Sequence, residues 1–158
     1  NAPGDTTITT YSLNSQGYAT SSQFTSNNSS GTAQYTYDAS GQLLTKIFSG
    51  QDSFGGTIED TTFQTWNGGN VVSSYYARYY STALQYYSID KIYTYFASKN
   101  NTIGNESQGI MFLGKDSKNP VNVETDLTNS LSVTHTYLYD ANNRITKDLS
   151  NNASYTYY

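Results

Sequence analysis

The chain has no cysteine, one histidine, one tryptophan and two prolines in 158 residues, and only 13% of those residues are charged. Without cysteine there are no disulfides, no thiolate nucleophile and no thiolate-bound zinc. With His135 as the single histidine, a metal site made of several imidazoles is excluded by count. A lone imidazole among tyrosines reads as a packed side chain satisfied by its neighbours. The eight Lys and Arg are scattered and the net charge is −4, so no basic stripe exists for a phosphate backbone and nucleic acid is not an expected partner. No apolar run approaches the roughly 18 residues of a transmembrane helix.

Ser, Thr and Asn supply 59 of the 158 residues, so solubility rests on hydroxyls and amides. Tyrosine is the other excess, with 17 copies, and aromatic and β-branched residues favour pleated, half-buried surfaces. No segment carries a sustained helical apolar stripe, and 83–96, rich in Tyr and Ile, fits a strand. Loops are expected over 26–31, 49–56 and 98–109. Residues 1–6 read as a linker and 7–158 as a single all-β domain. The fold expected is a curved antiparallel meander of roughly ten strands, or an incomplete barrel.

A phrase recurs in which an aromatic-rich strand stops at Asp or Asn, and Gly or Asn follows three residues later. Its clearest copies run from Tyr35 through Asp38 and Gly41 to Leu43, and from Tyr137 through Asp140 and Asn143 to Ile145. Weaker copies run from Tyr11 through Asn14 and Gly17, and from Phe63 through Trp66, Asn67 and Asn70. The spacing has a mechanism. Asp or Asn accepts backbone N–H bonds across the turn, and the fourth position takes the left-handed dihedrals that Gly or Asn tolerates. This predicts three-residue hairpin loops, each a type I turn closed by a bulge. Carried along the strands without interruption, the register pairs Tyr37 with Leu43, Tyr35 with Thr45 and Ala33 with Ile47. In the last copy it places Val133, His135, Tyr137, Tyr139, Ile145 and Leu149 on one face.

Candidate chemistry is sparse. Asp38 and Asp140 occupy turn positions and read as caps rather than as a glycosidase carboxylate pair. Asp52, Glu59 and Asp60 match no calcium loop and read as a solvated loop. Gly55-Gly56 and Gly68-Gly69 precede no helix with a phosphate-binding lysine. No catalytic residue, metal site or cofactor is expected. The tyrosines alone offer a ligand surface, because flat rings among hydroxyls and amides can stack sugars or dock protein. Trp66, Tyr75, Tyr76, Tyr79 and Tyr80 are the candidate ligand-binding residues.

Tyr35-Thr36-Tyr37-Asp38-Ala39-Ser40-Gly41-Gln42-Leu43 resembles the YD repeat of large bacterial surface and toxin-shell proteins. The order of segments resembles a family of Bacteroidetes cell-envelope lipoproteins with a porin-like fold. The matching residues are Tyr35 to Leu43, Trp66 to Val72, Tyr93-Thr94-Tyr95, Leu113 to Pro120 and Tyr137 to Ile145. Asn143 stands where Gly is expected, and Asn67-Gly68-Gly69-Asn70 departs from the usual turn. The resemblance implies an outer-membrane-anchored protein, facing the periplasm or the cell surface, whose signal sequence and acylated cysteine stand upstream of Asn1. It supplies no catalytic residue. The function expected is a non-catalytic structural or adhesion-like module with a glycan or a surface protein as partner. The alternative is a glycan-binding accessory protein of a polysaccharide uptake system. A small membrane barrel is disfavoured, since its outward face needs an apolar band about 25 Å tall.

Overall fold

The computed structural model describes residues 7–26, 29–51, 55–81, 85–105 and 110–155; the linker expected over 1–6 lies outside them. Nine strands follow one another in a simple antiparallel meander: β1 (Ile8–Leu13), β2 (Ala19–Thr25), β3 (Ser30–Tyr37), β4 (Leu43–Gln51), β5 (Thr57–Asn67), β6 (Asn70–Tyr80), β7 (Gln85–Tyr95), β8 (Val121–Asp126) and β9 (Leu131–Thr134). A second sheet of three short strands follows: β10 (Tyr137–Tyr139), β11 (Ile145–Asp148) and β12 (Ala153–Ser154). The large sheet stays open, with β1 and β9 as its edges. Two loops are shorter than expected. β3 begins at Ser30, and β4 continues through Ser49, Gly50 and Gln51. The extension of β4 has a packing reason: the Phe48 ring lies over Gly31 and Gly50, where a Cβ would come within 2.6 Å of it. Residues 27–28 and 52–54 lie outside the described set.

The three-residue loops form as their residues dictate. Asp38 N–H donates to Gln42 O (3.0 Å), and Asp38 Oδ1 accepts from Ser40 N and Gln42 N at 2.8 and 2.9 Å. Asp140 repeats this with Asn142 and Arg144, and Asn14 with Gln16 and Tyr18. Gly17, Gly41 and Asn143 take the left-handed position, with φ of 85°, 83° and 58°. The β5–β6 turn differs. Asn67 pairs with Asn70, and Gly68 and Gly69 both have positive φ, which is the two-residue type I′ turn that a Gly pair favours.

A bulge then corrects the uninterrupted register. Tyr37 pairs with Leu43, but Thr36 pairs with Thr45, Tyr35 with Lys46 and Ala33 with Phe48, leaving Leu44 as the extra residue. The same shift leaves Thr20, Val72, Asn122 and Thr146 over on the strands that follow the other turns at this end. Since sides alternate along a strand, every residue beyond the bulge changes face. Phe48 joins Ala33 and Tyr35, while Ile47 turns to solvent at 47% exposure. In the small sheet Asp148 takes the place of Lys147 opposite Tyr137, and Leu149 leaves the face expected for it and is exposed.

One face of the large sheet is covered at the turn end by the segment joining β7 to β8, which includes a 3₁₀ turn at Met111–Leu113. Its fixing point is Asn119, buried, which exchanges amide hydrogen bonds with Asn70 (2.9 and 3.0 Å) and donates to Lys99 O. Ser117 Oγ accepts from Val71 N, and Lys118 N–H donates to Gly69 O. Tyr95 Oη donates to Val71 O, and Tyr11 packs on Phe112 at 4.7 Å. Burial pushes the Tyr37 and Tyr95 hydroxyls up to about 12. Ala19, Ala33, Val71 and Ile145 are the buried apolar side chains among the described residues. Among the described residues the sheet is a single layer away from the covered end, so cross-strand pairs and ring contacts carry its cohesion.

Candidate functional site

Alternation along β6 divides the five candidate rings. Tyr75 and Tyr79 stand on the open face, and Tyr76 and Tyr80 on the opposite one. Trp66 shares the face of Tyr76 and Tyr80 by register, at its turn end. It lies under the covering segment, half-buried, with Nε1 donating to Leu43 O at 2.7 Å.

On the open face Tyr75 meets Phe63 (centroids 6.4 Å) and its hydroxyl lies 2.5 Å from that of Tyr86. Tyr79 pairs with Tyr86 across β6 and β7. Phe63, Tyr79 and Tyr86 are 47%, 37% and 62% exposed. Four rings thus make a continuous strip on this face, with Thr61, Thr65, Ser73 and Ser88 beside it by register. Phe63 and Tyr86 were not among the residues singled out from the sequence. Alternation brings Phe63 opposite Tyr75 only once the bulge at Val72 is counted.

On the other face Arg78 forms a bidentate ion pair with Asp60 and lies 5.8 and 5.5 Å from the Tyr76 and Tyr80 ring centroids. This pairing, led by the hydrogen bonds that Arg78 donates to Asp60, pushes the Arg78 pKa upward. Burial, together with Tyr87, pushes the Tyr76 hydroxyl upward. These two rings serve a charge cluster that holds strands together. Glu59 and Asp60 are therefore strand residues rather than loop residues, Glu59 exposed and Asp60 half-buried, and Asp52 lies outside the described residues.

A second site stands where the two sheets meet. The chain turns over 96–99, with Lys99 N–H donating to Phe96 O, and faces the β9–β10 junction. Between them is a cleft of about 480 Å³ lined by Phe96, Lys99, Asn122, His135, Tyr137 and Tyr139, among others. Tyr137 is central, stacked on His135 (6.0 Å, 10°), edge-on to Phe96 (6.1 Å) and 6.5 Å from Tyr139. His135 is buried as expected, its Nδ1 3.2 Å from Asp148 Oδ2. The bulge at Thr146 brings Asp148 there. Lys99 Nζ lies 4.7 Å from the Tyr139 ring centroid and donates to Asn143 Oδ1 at 3.4 Å.

Asp38 and Asp140 hold turns. Backbone N–H bonds from Arg144, with its guanidinium, keep Asp140 below the usual carboxylate range. Among the described residues no three His, Asp or Glu side chains are grouped to hold a metal ion, and no helix is long and apolar enough to cross a membrane.

Over 90% of its length the chain aligns with a porin-like protein from Bacteroides uniformis at a TM-score of 0.61. The fold is porin-like. Identity over the match is 14%, and the chain spans 60% of that protein's length. No family model matches the chain, and no curated protein matches it in sequence.

Proposed function

We propose that this chain is a non-catalytic module of the bacterial cell envelope, of the lipid-anchored YD-repeat type its sequence resembles, that works as a structural or binding surface. The observation that carries this reading is the strip Phe63, Tyr75, Tyr79 and Tyr86 on the open face of a single-layer sheet. Exposed aromatic patches on soluble faces usually mark interaction sites. The porin-like fold supports an envelope location. Neither face supports membrane insertion by the strands themselves. Glu59 and Asp90 fall on the open face by register, and Asp60, Arg78 and Lys91 on the other, where lipid requires an apolar band. A lipid anchor upstream of Asn1 fits these faces better.

A glycan-binding accessory role is the second reading. It is favoured by rings flanked with hydroxyls, since pyranose faces stack on such rings while their hydroxyls find polar partners. The test is to pass the domain over immobilised polysaccharides and measure both retention and newly released reducing ends. Retention without release is expected. Release would overturn the non-catalytic reading, and absence of retention on every polysaccharide would remove the glycan reading.

A further inference from the structure

We infer that the cleft between the 96–99 turn and Tyr137 and Tyr139 binds a sugar residue bearing a carboxylate, such as a hexuronate unit of an acidic polysaccharide. The site is separate from the ring strip of β5–β7. At about 480 Å³ it falls within the roughly 300–1,000 Å³ of ligand pockets, which combine apolar walls with a few placed polar groups. The walls here are the rings of Phe96, Tyr137 and Tyr139. A pyranose lays its C–H face on such rings, and the Asn122 amide stands at the same cleft to meet its hydroxyls.

Charge sets the class of sugar. Lys99 is the cation lining the cleft, and no carboxylate among the described residues lies within ion-pair distance of it. The nearby acids are engaged elsewhere: Asp140 by Arg144 at 2.7 Å, and Asp148, buried, by His135. In a chain of net charge −4 this half-buried ammonium is a local positive site. One ammonium matches one carboxylate. A phosphate would call for more donors, such as a glycine-rich nest or an arginine fork, and the cleft has neither.

The walls are also fixed before any ligand arrives. Asn119 donates to Lys99 O and Ala97 O, His135 N–H donates to Asn122 O at 2.8 Å, and Ser150 Oγ holds Thr136 N at 3.1 Å. A preorganised wall lowers the ordering cost of binding.

The experiment is a calorimetric titration with a short oligogalacturonate, its methyl ester and a neutral galacto-oligosaccharide. The ring protons of His135, the single imidazole, report occupancy by NMR. The acid should bind and shift His135, with the ester and the neutral oligomer weaker by roughly tenfold, the effect of one partly exposed charge pair and its hydrogen bond. Lys99→Gln should abolish the preference and Lys99→Arg retain it, while Tyr139→Ala should weaken all three ligands. A Tyr75→Ala/Tyr86→Ala variant should keep the full His135 shift on adding the acid, a readout of this cleft alone, so failure of the strip reading and failure of this one are separable. Equal binding of acid and ester, no binding with no His135 shift, or benzoate binding as tightly as the oligomer would each overturn the inference.

Discussion

Gly41 and Gly17 occupy the same position in equivalent loops, with φ of 83° and 85°, yet their surroundings differ. A Cβ on Gly17 would meet nothing within 4 Å, whereas one on Gly41 would stand 2.2 Å from Tyr18 Oη and 2.4 Å from Tyr18 Cζ. Gly17→Ala therefore introduces only left-handed strain, about 1 kcal/mol. Gly41→Ala adds displacement of the Tyr18 ring, which is stacked on Tyr37 at 5.2 Å. Overpacking of that kind costs about 1–3 kcal/mol, for a total of about 2–4 kcal/mol. Urea unfolding followed by Trp66 fluorescence reads both values. In a Tyr18→Ala background the Gly41→Ala cost should fall to that of Gly17→Ala. Equal costs of the two alanines in the parent protein would refute the packing argument, and costs near zero for both would refute the turn assignment.

The bulge makes opposite predictions for adjacent residues of β4: Ile47→Thr should stay within about 0.5 kcal/mol, and Phe48→Ala, which strips the ring from Gly31, Gly50 and Phe24, should cost about 2 kcal/mol or more in the same urea assay. Asn119→Ala removes three side-chain hydrogen bonds and leaves the Asn70 amide N–H without its partner, so it should cost about 2–4 kcal/mol and raise amide exchange across the described residues of 96–120. Tyr37 and Tyr95 titrate near 12 in the fold and near 10 when unfolded; the stability they confer is complete below pH 10 and is lost as pH rises towards 12, measurable as a falling urea midpoint alongside phenolate absorbance.

The loops were legible because their chemistry is local. Asp or Asn at the first position and Gly or Asn at the fourth state the turn without reference to the rest of the chain. The bulge that closes each three-residue turn is part of that local chemistry, but the further bulges in the strands were not legible, because Thr20, Leu44, Val72, Asn122 and Thr146 are ordinary strand residues and no Gly marks them. Without these bulges, alternation would turn Ile47 inward and Phe48 outward and keep Asp148 off the face of His135. The strand identity of 85–95 and the packed histidine were readable from composition and count. Trp66 beside a turn looked easy to expose, but the segment 110–120 returns over it from 44 residues away, and such long-range cover leaves no local trace. The cleft is hidden for the same reason, since Lys99 and Tyr139 meet only after the second sheet docks.

The most direct test of the binding-surface account is retention of the domain on a panel of immobilised polysaccharides and envelope proteins, comparing the parent with a Tyr75→Ala/Tyr86→Ala variant of unchanged urea midpoint. The account predicts that the parent is retained by at least one member and that the variant loses that retention by roughly tenfold or more, as removal of central aromatic anchors does. Equal retention of the two proteins by every member other than an acidic polysaccharide, which the cleft at Lys99 also holds, would contradict it.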